Sequence, residues 1–134
     1  MQSISIKTVQ GDLPQLAATG ESEPVAEAFS GGVEIIERLA DEWRVLCAEG
    51  PCDQPFFRPE WIAAYVRAFA PEKRLLALTA RVDGRLRAVL PLVEEWALLH
   101  GVPVRMLRGA ANIHSCRFDL VHGAGQDVRT ATQA

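Results

Sequence analysis

From Val33 onward, apolar residues recur three and four apart. Ile36, Leu39, Ala40, Trp43, Leu46 and Cys47 mark one side, and Glu34, Glu37, Arg38, Asp41, Glu42 and Arg44 fill the positions between them. That period predicts a helix with one buried face. Gly50-Pro51 ends it, because glycine relieves the left-handed C-terminal position and proline cannot continue the hydrogen-bond ladder. Pro59 suits the first position of a second helix. Trp61, Ala64, Tyr65, Ala68 and Phe69 form its predicted apolar side, and Pro71 stops it. The aromatic residues of both helices are accordingly assigned to core packing rather than to a sugar-stacking platform.

The period then changes. Residues 75–82 and 86–96 read as two strands joined by Asp83-Gly84, the pair that a two-residue hairpin turn prefers. Pro91 lies inside the returning strand and has no N–H for a ladder, so that strand is expected at an edge or bulged at this point. Glu94-Glu95 reads as a solvent-facing or edge feature. Residues 102–107 and 118–121 are further strand candidates. Helix, helix and then a meander of strands predict an α+β fold, with two helices packed on a mostly antiparallel sheet.

The flanks are less regular. Residues 3–9 alternate as a short strand would, and residues 11–32 collect Pro14, Gly20, Pro24 and Gly31-Gly32 without an apolar period. Residues 1–32 are therefore read as a strand plus a flexible linker, and residues 33–134 as the folded domain. Residues 126–134 look like the first turns of a helix that stops without a cap. Isolated helices need about 12–15 residues, which makes truncation of a longer protein the expectation.

Composition narrows the partners. The chain has 134 residues, 49% of them hydrophobic, enough for one core that buries roughly two thirds of the unfolded surface. Its 17 acids exceed its 14 Lys and Arg, so no excess positive charge exists to neutralise phosphates, and nucleic acid is not expected as a partner. Cys47, Cys52 and Cys116 form an odd set without C-x-x-C spacing, read as reduced thiols. The first residues lack an apolar signal core, and no apolar run approaches the about 18 residues of a membrane span. A cytoplasmic location is expected.

Several stretches carry a family likeness: Asp41-Glu42-Trp43-Arg44-Val45-Leu46, Pro55-Phe56-Phe57-Arg58-Pro59-Glu60-Trp61, and Asp83-Gly84 leading into Val89-Leu90-Pro91-Leu92-Val93. Gly101-Val102-Pro103-Val104-Arg105-Met106-Leu107 and Phe118-Asp119-Leu120-Val121 follow in order. In these the chain resembles the amino-terminal half of the CelD/BcsL-like acetyltransferases of the GNAT superfamily, a branch associated with cellulose and exopolysaccharide synthesis. The resemblance spans about residues 35–134. It implies an incomplete GNAT-like half and a missing carboxy-terminal half as partner. It also implies transfer of an acetyl or acyl group from acyl-coenzyme A to an amine or hydroxyl on a saccharide-related acceptor. The thioester of the superfamily lies in a V-shaped opening between parallel strands, with its pyrophosphate on backbone N–H groups at a helix start.

Gly123-Ala124-Gly125 invites comparison with that phosphate loop, as Gly123 and Gly125 would bind cofactor. Leu120, however, stands where the superfamily has Gln or Arg, and an ordinary strand-to-helix turn is the favoured reading of the glycines. The isolated chain is thus expected to bind no coenzyme and to be inactive. The densest polar cluster is Asn112, His114, Ser115, Cys116, Arg117 and Asp119, in a predicted loop where functional groups are often displayed. His114 suits a general base because histidine titrates near neutrality, Asp119 would orient it or bind a hydroxyl, and Asn112, Ser115 and Arg117 would contact the acceptor. A solvated loop is the favoured reading, because single polar loops more often turn and cap than catalyse. No metal is expected, since His100 and His122 lack a third ligand at suitable spacing. A rival reading is a noncatalytic binding or scaffolding module that keeps a degenerate GNAT-like sheet.

Overall fold

A computed structural model describes residues 24–51, 53–111 and 118–123. Within them the chain forms β1 (Val25–Gly31), α1 (Glu34–Glu49), a 3-10 turn (Pro55–Phe57), α2 (Pro59–Phe69), β2 (Arg74–Val82), β3 (Arg85–Leu99), β4 (Val102–Gly109) and β5 (Val121–His122). The strands make one antiparallel sheet in the order β1-β2-β3-β4, and β5 pairs with β3. Both helices lie on one face of it. The architecture is α+β, as the change of period predicts.

One expected linker is a strand. Val25–Gly31 pairs along its whole length with β2, from Val25 opposite Arg81 to Gly31 opposite Leu75. Its alternation is hidden because three of its residues are Ala or Gly; Phe29 is the one large side chain, and it packs against the core under the Arg38 guanidinium. Residues 3–9 lie outside the described residues.

The helix α1 follows its predicted period, burying Ile35, Ile36, Leu39, Trp43, Leu46 and Cys47. At its start the Glu34 carboxylate accepts the Gly32 N–H at 2.7 Å, which holds that carboxyl below its ordinary range. The face of α2 is turned from the expected one. Pro59, Ile62, Ala63, Tyr65 and Val66 are buried, whereas Trp61, Ala64, Ala68 and Phe69 are exposed. Both sides of α2 are apolar, so spacing alone could not choose between them, and the sheet and α1 take the side with branched aliphatics. Trp61 stacks edge-on against Phe56, and Phe69 lies beside Tyr65.

Trp43 is wholly buried. Its Nε1–H donates to the Phe57 carbonyl at 2.8 Å, and the Cys47 thiol donates to the same oxygen at 3.4 Å. These two contacts tie the 3-10 turn to α1. Against this side the sheet presents Leu75, Ala77, Thr79, Val89, Pro91 and Val93, all buried.

The hairpin of β2 and β3 turns at Asp83 (φ 52°) and Gly84 (φ 75°), as the two-residue primed turn requires. A second turn of the same kind, His100 (φ 50°) and Gly101 (φ 83°), joins β3 to β4. Near the first turn the register shifts: Ala80 faces Ala88 and Arg81 faces Leu86, so Arg87 is an extra residue on β3. This bulge brings Leu86 onto the helix side, where it joins the core. Beside it, Arg81 spans sheet and helix, bonding both carboxylate oxygens of Glu42 at 2.5 and 3.0 Å and reaching Glu27 at 3.2 Å. The hydrogen bond from Arg81 lowers the Glu42 carboxyl below its usual range.

The bulge leaves Arg87 Nε buried without a hydrogen-bond partner. An unmade bond of this kind costs about 1–3 kcal/mol. Replacing Arg87 with methionine keeps an unbranched apolar stem and removes the orphan donor. The urea midpoint of R87M is expected to rise; a fall would show that the guanidinium holds the bulge in place.

Pro91 is neither at an edge nor in that bulge. β3 is the central strand, and the break falls on its neighbour instead. The Pro91 carbonyl accepts the Ala110 N–H at 3.2 Å, so the side of Pro91 that lacks an N–H faces β4. There β4 ends. The chain leaves the sheet after Ala110 and returns as β5 opposite Val89 and Ala88, so β4 and β5 act as one strand interrupted at the proline. Glu94 and Glu95 on β3 are half-buried rather than solvent-facing. Arg105 pairs with Glu94, while Lys73 and Arg108 pair with Glu95.

Candidate functional site

The interruption at Pro91 has a local effect: it sets the short β5 against the end of α1. The opening between them, of about 100 Å³, is lined by Cys47, Gly50, Phe57, Asp119, Leu120 and His122 among others. Gly50 makes the approach close. A Cβ on Gly50 would lie 2.8 Å from the His122 carbonyl oxygen and 3.2 Å from that of Leu46, so glycine is required here for space, not for its dihedral angles.

His122 Nδ1 is 3.1 Å from the Gly123 carbonyl. A carbonyl oxygen only accepts, so Nδ1 is the donor in this contact, and the neutral tautomer that fits it has its lone pair on Nε2. Asp119 is exposed at the rim, with one carboxylate oxygen accepting the Leu120 N–H at 2.8 Å. The C-terminal end of α1 supplies carbonyl oxygens and the negative end of the helix dipole, with no basic residue in its last turn. This electrostatic setting favours a cationic or hydrogen-bond-donating guest over an anion. Cys47, although it lines the opening, is no nucleophile. Burial, with a lesser contribution from the Asp53 charge, pushes its thiol up to about 11.

Of the residues singled out in the sequence, Asp119 and Gly123 are described, and both lie at or beside this opening. The Gly123 N–H is engaged by the Arg87 carbonyl at 3.1 Å, and Gly123 is buried with Leu46 nearby. It therefore has no free N–H to offer a phosphate. Asn112, His114, Ser115, Arg117 and Gly125 lie outside the described residues. The residue that sequence reasoning passed over is His122. It was weighed only as a metal ligand, and its meeting with α1 follows from long-range pairing of β5 with β3 that no local spacing reveals. Among the described residues no group of three or more His, Cys, Asp or Glu is placed to hold a metal ion. Nor is any helix among them long and apolar enough to cross a membrane.

Comparison of the chain with protein-family models, curated proteins and solved structures finds no match.

Proposed function

We propose that this chain is the amino-terminal portion of a cytoplasmic GNAT-type acyltransferase and supplies the acceptor side of its site. The donor would be acetyl- or another acyl-coenzyme A. The acceptor would be an amine or hydroxyl on a saccharide-related molecule, in cellulose or exopolysaccharide synthesis. The observation that carries this reading is the opening at the end of α1, which His122 and Asp119 line beside the negative end of a helix. An amine or hydroxyl attacking an acyl carbonyl must lose a proton, and Nε2 is a group that can accept it. Asp119 and the α1 carbonyls would attract a protonated amine to the opening. Two helices followed by antiparallel strands is the order of the segments that carry the sequence resemblance.

The coenzyme supplies the activated acyl group, and the residues described here do not form its phosphate cradle, since the Gly123 N–H is engaged. The coenzyme would accordingly be held by a carboxy-terminal portion. Calorimetric titration with acetyl-coenzyme A tests it. The 134-residue chain alone is expected to give no binding heat, and a polypeptide extended by the downstream reading frame is expected to bind with one site per chain. Binding by neither would sink the acyltransferase reading. It would favour a noncatalytic docking module, a second reading supported by the exposed apolar side chains of Trp96, Leu98 and Leu107.

A further inference from the structure

The sheet ends at β4 among the described residues, yet the side chains around that edge are apolar and open to solvent. Trp96 is 71% and Leu98 76% exposed, and Leu99, Val102, Met106 and Leu107 are exposed as well. The direction of the backbone groups follows from the two ends of the β3–β4 ladder. A two-residue turn makes Leu99 and Val102 a hydrogen-bonded pair, and at the far end the Ala110 N–H bonds to Pro91. Even-numbered residues of β4 thus bond to β3. Pro103, Arg105, Leu107 and Gly109 turn their backbone groups outward.

We propose that this edge pairs antiparallel with the same edge of a second copy, in the register that sets Met106 against the partner's Met106. Arg105 then faces the partner's Leu107, Val104 faces the partner's Arg108, and Pro103 faces the partner's Gly109. Backbone groups that point outward meet backbone groups that point outward. Pro103 falls near the end of the shared ladder, where its missing N–H matters least. Sliding the axis to Arg105 would set it against the partner's Arg105, and like charges directly opposite are destabilising. Sliding it to Leu107 would shorten the ladder to residues 105–109.

Charge permits self-pairing. Arg105 and Arg108 are compensated by Glu94 and Glu95 of β3 at 3.0 and 3.4 Å, so the edge does not repel its copy. The side chains on both faces of the ribbon gain neighbours across the axis. A two-fold pairing of this kind closes on itself and stops at the dimer. The inference goes beyond the acyltransferase reading and does not rest on it.

In the proposed register Met106 and the partner's Met106 form a non-hydrogen-bonded pair, with Cα atoms about 4.5 Å apart, inside the span of a disulfide. The test is oxidation of M106C in a background where Cys52 and Cys116 are serine, with V104C and R108C as register controls, alongside light scattering of the unmodified chain. The expected results are twice the chain mass for the unmodified protein and a covalent dimer for M106C alone. Arg105→Pro, which removes an outward N–H that β3 does not use, is expected to give a folded monomer whose unfolding midpoint no longer depends on protein concentration. An unmodified chain that remains monomeric at every concentration would overturn the proposal, whether or not it binds an extended apolar peptide. Cross-linking by V104C or R108C in place of M106C would overturn the register.

Discussion

Replacing Trp43 with alanine is expected to lower the free energy of unfolding by about 3–5 kcal/mol, the range for removing a large buried aromatic. Domains of this size have about 5–15 kcal/mol in total, so the variant should be marginal or unfolded. The size of the loss comes from two sources. Trp43, on α1, is fully buried, and its indole N–H is one of two donors that hold the Phe57 carbonyl. Phenylalanine separates the two. It keeps most of the volume and loses the donor, while the Cys47 thiol still caps the carbonyl, so W43F should lose only about 0.5–1.5 kcal/mol, the net worth of one hydrogen bond. Urea unfolding followed by thiol labelling, in a background where Cys52 and Cys116 are serine, measures both. Cys47 is buried and its thiol is held up to about 11, so it should label only when the chain opens. Equal losses in W43A and W43F would mean that the hydrogen bond, not packing, fixes the 3-10 turn.

What could be read in advance followed from short-range rules. The period of α1, the stop at Gly50-Pro51, the start at Pro59 and the Asp83-Gly84 turn each depend on a few adjacent residues, and each stands where the pattern put it. The errors share a different origin. For β1, strand character rests on pairing with β2, some fifty residues later, while its own Ala- and Gly-rich composition says little. For α2, two apolar faces competed, and only the shape of α1 and the sheet decides which is covered. For Glu94-Glu95, the basic residues that draw these carboxylates into the sheet come from the turn before β2 and from β4. Sequence near a glutamate does not show which arginine will face it across a strand.

Pro91 joins the two kinds of information. Its missing N–H was legible, and so was the need for an irregularity in the sheet. The irregularity falls on the strand beside it because the bulge at Arg87 reverses the parity that the Asp83-Gly84 turn sets, and the reversed parity sends the donorless side of Pro91 toward β4. One absent donor on β3 thereby separates β4 from β5 and lets β5 reach the end of α1. The candidate site is a product of that detour. Asp119 belongs to it and was identified from polar clustering, but His122 enters only through the β3–β5 pairing.

His122→Gln is the variant on which the proposed chemistry depends most. In the protein extended to bind acyl-coenzyme A, the substitution is expected to cut the turnover number about 10²–10⁴-fold, the span attributed to a positioned general base. Glutamine can preserve the polar contact with the Gly123 carbonyl through its amide N–H, so the link between β5 and the glycine turn is retained. It cannot take up a proton. The loss should therefore appear in the turnover number with little change in the KM for acyl-coenzyme A, and the urea midpoint should stay near that of the parent. Asp119→Asn should act otherwise. Asp119 sits exposed at the rim and already satisfies the Leu120 N–H, which asparagine can still do through its carbonyl oxygen. Its change removes charge rather than a base, so it should raise the KM for a cationic acceptor and leave a neutral hydroxyl acceptor less affected. Added imidazole restoring turnover to H122Q would place the proton transfer at Nε2. Full activity in H122Q would remove His122 from the chemistry and return the search for the base to the segment that holds His114.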